Sequence, residues 1–307
     1  MSMFTKMLLA TDGSESSEVA VRAAVALSKR QDSEVRVIYV AHEHPYLHAY
    51  YDLRHQEDEE RLRREDRRML VEYVNDVHKA GGTVAESYLR AGEAANEIVE
   101  LAEDLVVGLV VLGSRGHGPM RRALMGSVST RVLRHAHCSV LIVRPHGPEE
   151  ERVSLLGKIV VAIDGSEEAS AAVQAATEVA KATGGSEVHL VYAMQEERYR
   201  PHLGPEMWEG WKEGFMHAKR SAHSWVDNQA ELMRGEGAKT VESHLLLGRP
   251  DAAIVWLAEG LGAGLVVVGS RGLGGMRRAL IGSVSDSVVR HAHCSVMVIR
   301  PERQQSV

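Results

Sequence analysis

Glycine, serine and arginine residues recur at fixed offsets in two segments of the chain, residues 113–145 and 269–301. The two segments are identical at 24 of 33 positions. Both contain the spacing Gly-x2-Gly-x9-Gly-Ser, and both place an arginine between the first two glycines. Glycine lets the backbone approach a ligand closely, and the unpaired N–H groups at a helix N-terminus bind anions. With cationic side chains in the same loop, these residues are suited to holding a polyphosphate.

Each copy of the spacing supplies a matched set of candidate binding residues. The set in the first copy is Gly113, Arg115, Gly116, Gly126 and Ser127. The set in the second copy is Gly269, Arg271, Gly272, Gly282 and Ser283. The final Gly-Ser predicts the start of a helix, and the earlier glycines predict sharp turns, at which a valine would oppose a positive φ.

A glycine loop with solvated arginines is the alternative interpretation, but two copies with matched spacing favour a nucleotide site. Two familiar modes of nucleotide binding do not fit. No Gly-Lys-Ser/Thr follows either loop, so the loop is not of the P-loop type. It also follows the fourth strand of each half, not the first, unlike the dinucleotide fingerprint.

An aspartate begins a second feature that both halves share, the triplet Asp-Gly-Ser. Asp12 and Asp164 each follow a short apolar run, at residues 7–10 and 158–163, that predicts a buried strand. The triplet predicts a strand-to-helix turn with a capping residue. Either aspartate could act as a general base, but no nucleophile partner is evident nearby, and capping the next helix is a sufficient structural role.

Strands alternate with helices through both halves, which positions these residues. The predicted strands after the first are 34–40, 83–89, 108–112 and 139–143, then 187–193, 240–246, 265–268 and 295–299. The predicted helices are 17–29, 56–79 and 93–103, then 169–182, 206–234 and 251–259, with one more after each glycine loop. This alternation predicts an α/β fold of two tandem doubly wound domains, each a five-stranded parallel sheet with helices on both faces. Asp12 and Gly113 both follow strands, so both should lie at the carboxyl edge of the sheet.

Composition bounds the class of protein. The chain has 307 residues, 44% hydrophobic and 25% charged, which suits two cores, and we expect domains at 1–146 and 156–303 with a linker at 147–155. A net charge of −6 argues against nucleic-acid binding. Apolar runs are too short for a membrane span, and the first residues do not resemble a signal peptide. Only two cysteines occur, Cys138 and Cys294, so we expect a cytoplasmic protein without a disulfide framework.

Histidine and cysteine also cluster, as His-x-His-Cys at residues 135–138 and 291–294. Adjacent residues at a helix-to-strand junction point in different directions, and no second ligand pair stands at zinc spacing. A helix C-terminus with cationic histidines and a small buried cysteine is the better interpretation. Four histidines within residues 42–55 suit a surface loop better than a metal site. We therefore predict no metal ligands.

The chain resembles the ATP-binding branch of the universal stress protein family, which is marked by Gly-x2-Gly-x9-Gly-Ser/Thr and an early strand ending in Asp. The resemblance covers nearly the whole chain as two tandem domains. It implies that Asp12 contacts the ribose or adenine, that the backbone of Val40 contacts adenine, and that the N–H of Val128 lies at the phosphates with the glycines and Ser127. The corresponding residues in the second copy are Asp164 and Val284, with Ala193 or Tyr192 near the position of Val40.

The resemblance implies a stress-linked regulatory protein that binds ATP, ADP or AMP, with Mg2+, and relays occupancy through conformation or a protein partner. A slow ATPase or phosphotransferase using the same pocket is one alternative, and a scaffold with an empty pocket is another. The absence of a Walker lysine and of an evident base favours binding over fast hydrolysis, so no catalytic residue is predicted. Family members commonly dimerise through the last strand, so we expect the two halves to pair through residues 139–143 and 295–299, and a homodimer is compatible with the sequence.

Overall fold

The computed structural model describes residues 2–29, 33–41, 53–116, 125–145, 156–195, 208–273 and 281–301. The chain divides into two compact units, residues 1–145 with 302–307 and residues 146–301. The predicted linker at 147–155 lies outside the described residues, as do most of the histidines within 42–55. None of the described helices is both long enough and apolar enough to span a bilayer.

The first unit contains five parallel strands in the order β3-β2-β1-β4-β5. The strands are β1 Lys6–Ala10, β2 Glu34–Ala41, β3 Val84–Ala91, β4 Leu109–Gly113 and β5 Ser139–Val143. The helices are α1 Glu15–Ser28, α2 Leu53–Lys79, α3 Ala94–Asp104 and α4 Ser127–His135. Helices α1 and α2 contact each other, as do α3 and α4, so the helices form two pairs.

The second unit repeats this arrangement with the strand order β8-β7-β6-β9-β10, again parallel. The strands are β6 Lys158–Ala162, β7 Glu187–Met194, β8 Thr240–Leu247, β9 Leu265–Gly269 and β10 Ser295–Ile299. The helices are α5 Glu167–Thr183, α6 Trp208–Gly235, α7 Pro250–Leu261 and α8 Ser283–His291. The predicted fold of two tandem five-stranded α/β domains is confirmed.

Continuous apolar strands form the centre of each sheet. In β4 and β5 the aliphatic side chains are buried almost completely, as expected for parallel strands covered by helices on both faces. Helix α2 presents a mostly charged surface but buries Leu70, Tyr73 and Val77, which follow the helical period. Helix α2 packs this apolar stripe against β2 and β3, which leaves the loops that follow the strands at the edge of the sheet.

The strand order reverses between β1 and β4, which pair in parallel with Ala10 opposite Leu112. The first continues along the sheet through β2 and the second through β5, so their carboxyl ends open onto a crevice. Asp12 follows β1, and Gly113 is the last residue of β4. The observed register therefore confirms the prediction that Asp12 and Gly113 lie at one edge of the sheet.

Candidate functional site

The Asp-Gly-Ser triplet forms the same turn in both units. The backbone N–H of Ser14 donates to Asp12 Oδ1 over 3.0 Å, and that of Ser166 donates to Asp164 Oδ1 over 3.0 Å. The intervening glycines, at φ of 78° and 85°, adopt the left-handed conformation. The serines cap the helices, since their hydroxyls accept from the N–H groups of Ser17 and Ala169. The expectation that the aspartates cap these helices is therefore wrong, because the serines do so. Each aspartate shapes the turn through Oδ1, and its Oδ2 faces other partners.

The second oxygen of each aspartate faces the glycine loop. A Cβ placed on Gly116 would lie 2.3 Å from Asp12 Oδ2, and one on Gly272 would lie 2.4 Å from Asp164 Oδ2. In the second unit the N–H of Leu273 also donates to Asp164 Oδ2 over 3.0 Å. The fold therefore brings Asp12 together with Gly116, and Asp164 together with Gly272, over more than a hundred residues of sequence.

The first glycine of each loop meets a helix. A Cβ on Gly113 would lie 2.7 Å from Ser16 Cβ and 2.9 Å from the backbone nitrogen of Ser17. On Gly269 it would lie 2.8 Å from Glu168 Cβ. None of the motif glycines has a positive φ, so the expectation that a side chain would oppose that angle at Gly116 and Gly272 is wrong. Glycine is required at these positions by close approach of neighbouring atoms.

The last glycine of each loop begins a helix without a side-chain cap. Gly126 and Gly282 are the N-cap residues of α4 and α8, and each donates its N–H to the carbonyl of the residue that follows the strand, Ser114 or Ser270. Ser127 and Ser283 are exposed, and Val128 and Val284 are half-buried. The first N–H groups of each helix have no intrahelical partner, so this end can accept an anion.

The arginines of the two loops differ in their surroundings. Arg271 Nη2 lies 2.8 Å from Glu168 Oε1, an ion pair at the start of α5. Arg115 is exposed and forms no ion pair with any residue of the described ranges. The position of Glu168 is occupied by Ser16 in the first unit, which also packs against its motif glycine. Arg115 is therefore the more available cation.

The position of Val40 has a defined counterpart in the second unit. Thr11 donates its N–H to Ile38, and Ile163 donates to Val191 in the same way, so the strands align with Ile38 opposite Val191. Two residues further on, Val40 corresponds to Ala193, which settles the choice between Ala193 and Tyr192. Both residues are half-buried and lie near the carboxyl ends of β2 and β7.

Tyr73 is a residue of the site that the sequence did not single out. Its ring packs edge-on against Tyr39 with centroids 5.4 Å apart, and its hydroxyl lies 2.6 Å from where a Cβ of Gly13 would stand. Burial, with the nearby Tyr39 and Asp12, raises the pKa of Tyr73 to about 12. The hydroxyl is buried, and no described residue forms a hydrogen bond with it.

Tyr73→Phe is expected to raise the free energy of unfolding of the nucleotide-free protein by about 1 kcal/mol, because an unpaired buried hydroxyl costs about 1–3 kcal/mol. Urea denaturation would measure the change. Tyr39→Phe is the matched control, since the hydroxyl of Tyr39 donates to Asp66 Oδ1 over 3.4 Å. Removal of a hydroxyl that has a hydrogen-bond partner should not raise the free energy of unfolding. A less stable Tyr73→Phe protein would show that the hydroxyl makes a stabilising hydrogen bond in solution.

The His-x-His-Cys segments do not assemble a common site in the described part of the chain. His137 contacts Glu103, whereas His291 Nδ1 contacts the carbonyl of Ser287 over 2.8 Å. Cys294 is buried and Cys138 is half-buried, both without a disulfide. His135 and His291 are the last residues of α4 and α8, the position expected of histidines at a helix C-terminus.

Known proteins match the chain over its full length. The model of the universal stress protein family matches residues 3–144 and again 156–300. A universal stress protein of Mycolicibacterium smegmatis is 26% identical over 302 residues, covering 96% of this chain and 97% of the relative. One from Mycobacterium tuberculosis is 29% identical over 321 residues, covering 98% and 96%.

Among solved structures, a universal stress protein from Archaeoglobus fulgidus is similar with a TM-score of 0.66 and 26% identity, covering 97% of this chain and 98% of that one. A putative universal stress protein from Pseudomonas aeruginosa shares the fold at 17% identity, with a TM-score of 0.67 and coverage of 97% and 94%. The two family matches, the two repeated folds and the full-length relatives all indicate two copies of the same domain. The chain belongs to the universal stress protein family and carries two tandem copies of its domain.

Proposed function

We propose that each unit binds an adenine nucleotide, ATP above all, at the carboxyl edge of its sheet, and that occupancy regulates the protein through conformation. The observation that carries the proposal is the approach of Asp12 to Gly116, and of Asp164 to Gly272, beside a helix that begins without a side-chain cap. A carboxylate suits the hydroxyls of a ribose, and the helix N-terminus suits phosphates. These two features stand where the strand order reverses.

The roles of the remaining residues follow from their positions. The N–H groups of Ser127 and Val128, with Arg115, would contact the phosphates, and Ser283, Val284 and Arg271 would do so in the second unit. The backbones of Val40 and Ala193 would border the adenine. Mg2+ keeps several waters and binds chiefly to phosphate oxygens, so it would accompany the nucleotide and neutralise its charge.

The contact between Leu273 and Asp164 suggests how binding would change conformation. Its N–H donates to the oxygen that a ribose hydroxyl would also approach. A ribose hydroxyl bound to Asp164 Oδ2 would share this acceptor with the N–H of Leu273, since a carboxylate oxygen can accept more than one hydrogen bond. Through this shared oxygen, nucleotide occupancy and the position of the loop would be coupled, as a sensor requires.

The two sites should differ in affinity. Glu168 neutralises Arg271 and adds a negative charge near the phosphate end of the second site, whereas Ser16 leaves Arg115 free to interact with phosphates. Interaction of a charged group with a hydrogen-bond partner contributes about 1.5–3 kcal/mol. We therefore expect the first site to bind ATP about tenfold more tightly, a difference of about 1.4 kcal/mol.

Calorimetry of the nucleotide-free full chain with Mg-ATP is expected to give two sites per chain, the tighter one in the first unit. Glu168→Ser should bring the weaker site closer to the stronger one. Chromatography of the same samples after several hours should recover mainly intact ATP. No binding would refute the proposal, whereas turnover at about 1 per second or faster, lost in Asp12→Ala with Asp164→Ala, would make the protein an enzyme.

A further inference from the structure

Two histidines and a glutamate meet on one face of the sheet in the second unit. His189 lies on β7, and Glu242 and His244 lie on the edge strand β8. The register places His189 opposite Glu242 and Val191 opposite His244. Residues two positions apart in a strand share a face, so the three side chains converge. One ligand atom from each lies within 4.8 Å of the other two.

The distances are close to those of a tetrahedral metal site. His189 Nδ1 lies 3.0 Å from His244 Nε2 and 3.5 Å from Glu242 Oε2. Zinc bonds of 2.0–2.2 Å at tetrahedral angles place neighbouring ligand atoms about 3.3–3.6 Å apart. An ion between these three atoms would thus require only small shifts of side chains. Two imidazoles and one carboxylate form a ligand set that zinc uses with a fourth, open position.

The surroundings of the two imidazoles favour the chemical form that binds metals. Burial lowers the pKa of His189, although Glu242 and Glu187 act in the opposite direction, and burial followed by the neighbouring His189 lowers that of His244. Both shifts favour the neutral imidazole, which is the form that binds a metal.

The other ring nitrogen of His189 also fits this role. His189 Nε2 is buried and has no hydrogen-bond partner among the described residues, and Glu187 Oε2 lies 3.8 Å away. A histidine that ligates a metal through one nitrogen usually directs the N–H of the other towards a carboxylate or carbonyl. With Nδ1 on a metal, the N–H of Nε2 would point towards Glu187.

The first unit shows how the same position is satisfied without a metal. The registers of β2 and β3 place Arg36 at the position of His189, Glu86 at that of Glu242 and Tyr88 at that of His244. Arg36 Nη2 lies 2.7 Å from Glu34, and its Nε lies 3.4 Å from Glu86. A guanidinium therefore neutralises the two glutamates of the first unit.

The second unit keeps the corresponding glutamates, Glu187 and Glu242, but has a histidine, His189, in place of the arginine. Lys158 contributes a cation only at 3.7 Å from Glu187. A divalent cation would supply the missing charge at the position that the guanidinium occupies in the first unit. We propose that His189, Glu242 and His244 bind a divalent transition metal of the zinc class, linking edge strand β8 to β7.

The site is separate from the proposed nucleotide site. His189 and Glu242 each stand third in their strands, near the amino ends of β7 and β8, whereas the nucleotide would lie at the carboxyl edge. Mg2+ that accompanies a nucleotide should not compete, because Mg2+ prefers an all-oxygen octahedron and this site offers two nitrogens.

The test is equilibrium dialysis of the untagged full chain against Zn2+ in excess Mg2+, followed by metal analysis, with Co2+ absorption as a second readout. We expect one Zn2+ per chain from this site and an intense visible spectrum typical of tetrahedral Co2+. His244→Tyr, Glu242→Gln, and His189→Arg combined with His244→Tyr should each reduce the affinity, the last by about a hundredfold or more. The double variant recreates the residues of the first unit.

His223→Ala is the matched control, since His223 is an exposed histidine paired with Asp227 on α6 and should leave Zn2+ binding unchanged. Circular dichroism would verify that each variant is folded, and if the double variant is not, His244→Tyr and Glu242→Gln decide. Equal Zn2+ affinity in the wild type and in these variants would overturn the proposal and assign the metal to other histidines. Absence of Zn2+ binding by the wild type would also overturn the proposal. The contact between His189 and His244 would then be an ordinary hydrogen bond.

Discussion

Gly116→Ala combined with Gly272→Ala is expected to reduce ATP affinity at both sites by about a hundredfold or more, about 2.7 kcal/mol, while the protein remains folded. The new Cβ would lie 2.3 Å from Asp12 Oδ2 in one unit and 2.4 Å from Asp164 Oδ2 in the other. Each carboxylate would have to swing away and lose its position for a ribose. Because only the end of a side chain must move, we expect the free energy of unfolding to change by less than about 1 kcal/mol.

Calorimetry and urea denaturation of the same samples would separate the two effects. Gly116→Ala alone should leave one site per chain, and Gly272→Ala alone should leave the other. Gly260→Ala is the matched control, since nothing lies within 4 Å of its added Cβ in α7. Unchanged ATP affinity in the double variant would contradict the placement of the nucleotide between these aspartates and glycines.

Gly113→Ala is expected to lower the free energy of unfolding of the first unit by about 3 kcal/mol, at the upper end for overpacking. Its Cβ would meet the Cβ and the carbonyl carbon of Ser16 at 2.7 and 2.8 Å. These atoms belong to the first turn of α1, which the Ser14 cap holds in place, so the helix would have to move away from β4. Urea denaturation monitored by circular dichroism would measure the loss.

The second unit offers the same experiment, because a Cβ on Gly269 would meet Glu168 at 2.8 Å. Gly214→Ala is the control, since it adds a methyl group in α6 with no atom within 4 Å and should be neutral or stabilising. Stability equal to wild type in Gly113→Ala would show that α1 adjusts without cost. Gly113→Ala should thus lower the free energy of unfolding, whereas Gly116→Ala should lower ATP affinity. This contrast distinguishes a glycine needed for packing from one needed for binding.

The sequence alone determined the repeated α/β architecture. Apolar runs of strand length alternate with helical patterns, and such local patterns persist because each helix and strand buries its own apolar face. Helix α1 nevertheless begins at Glu15, two residues before the predicted start, because Ser14 is the cap. That Asp12 and Gly113 share an edge could also be derived, since the carboxyl ends of parallel strands lie on one side of a sheet.

Only the tertiary structure decided what each motif glycine does and which side chains meet across strands. Gly113 and Gly116 are three residues apart and equivalent by sequence, yet one faces the backbone of α1 and the other a carboxylate. His189 and His244 are 55 positions apart, and nothing in their local sequence pairs them. Their contact depends on the register between β7 and β8, where a slip of one residue would turn one histidine to the opposite face. Register is fixed by how the whole sheet buries its side chains, so it is a property of the folded chain and not of any segment within it.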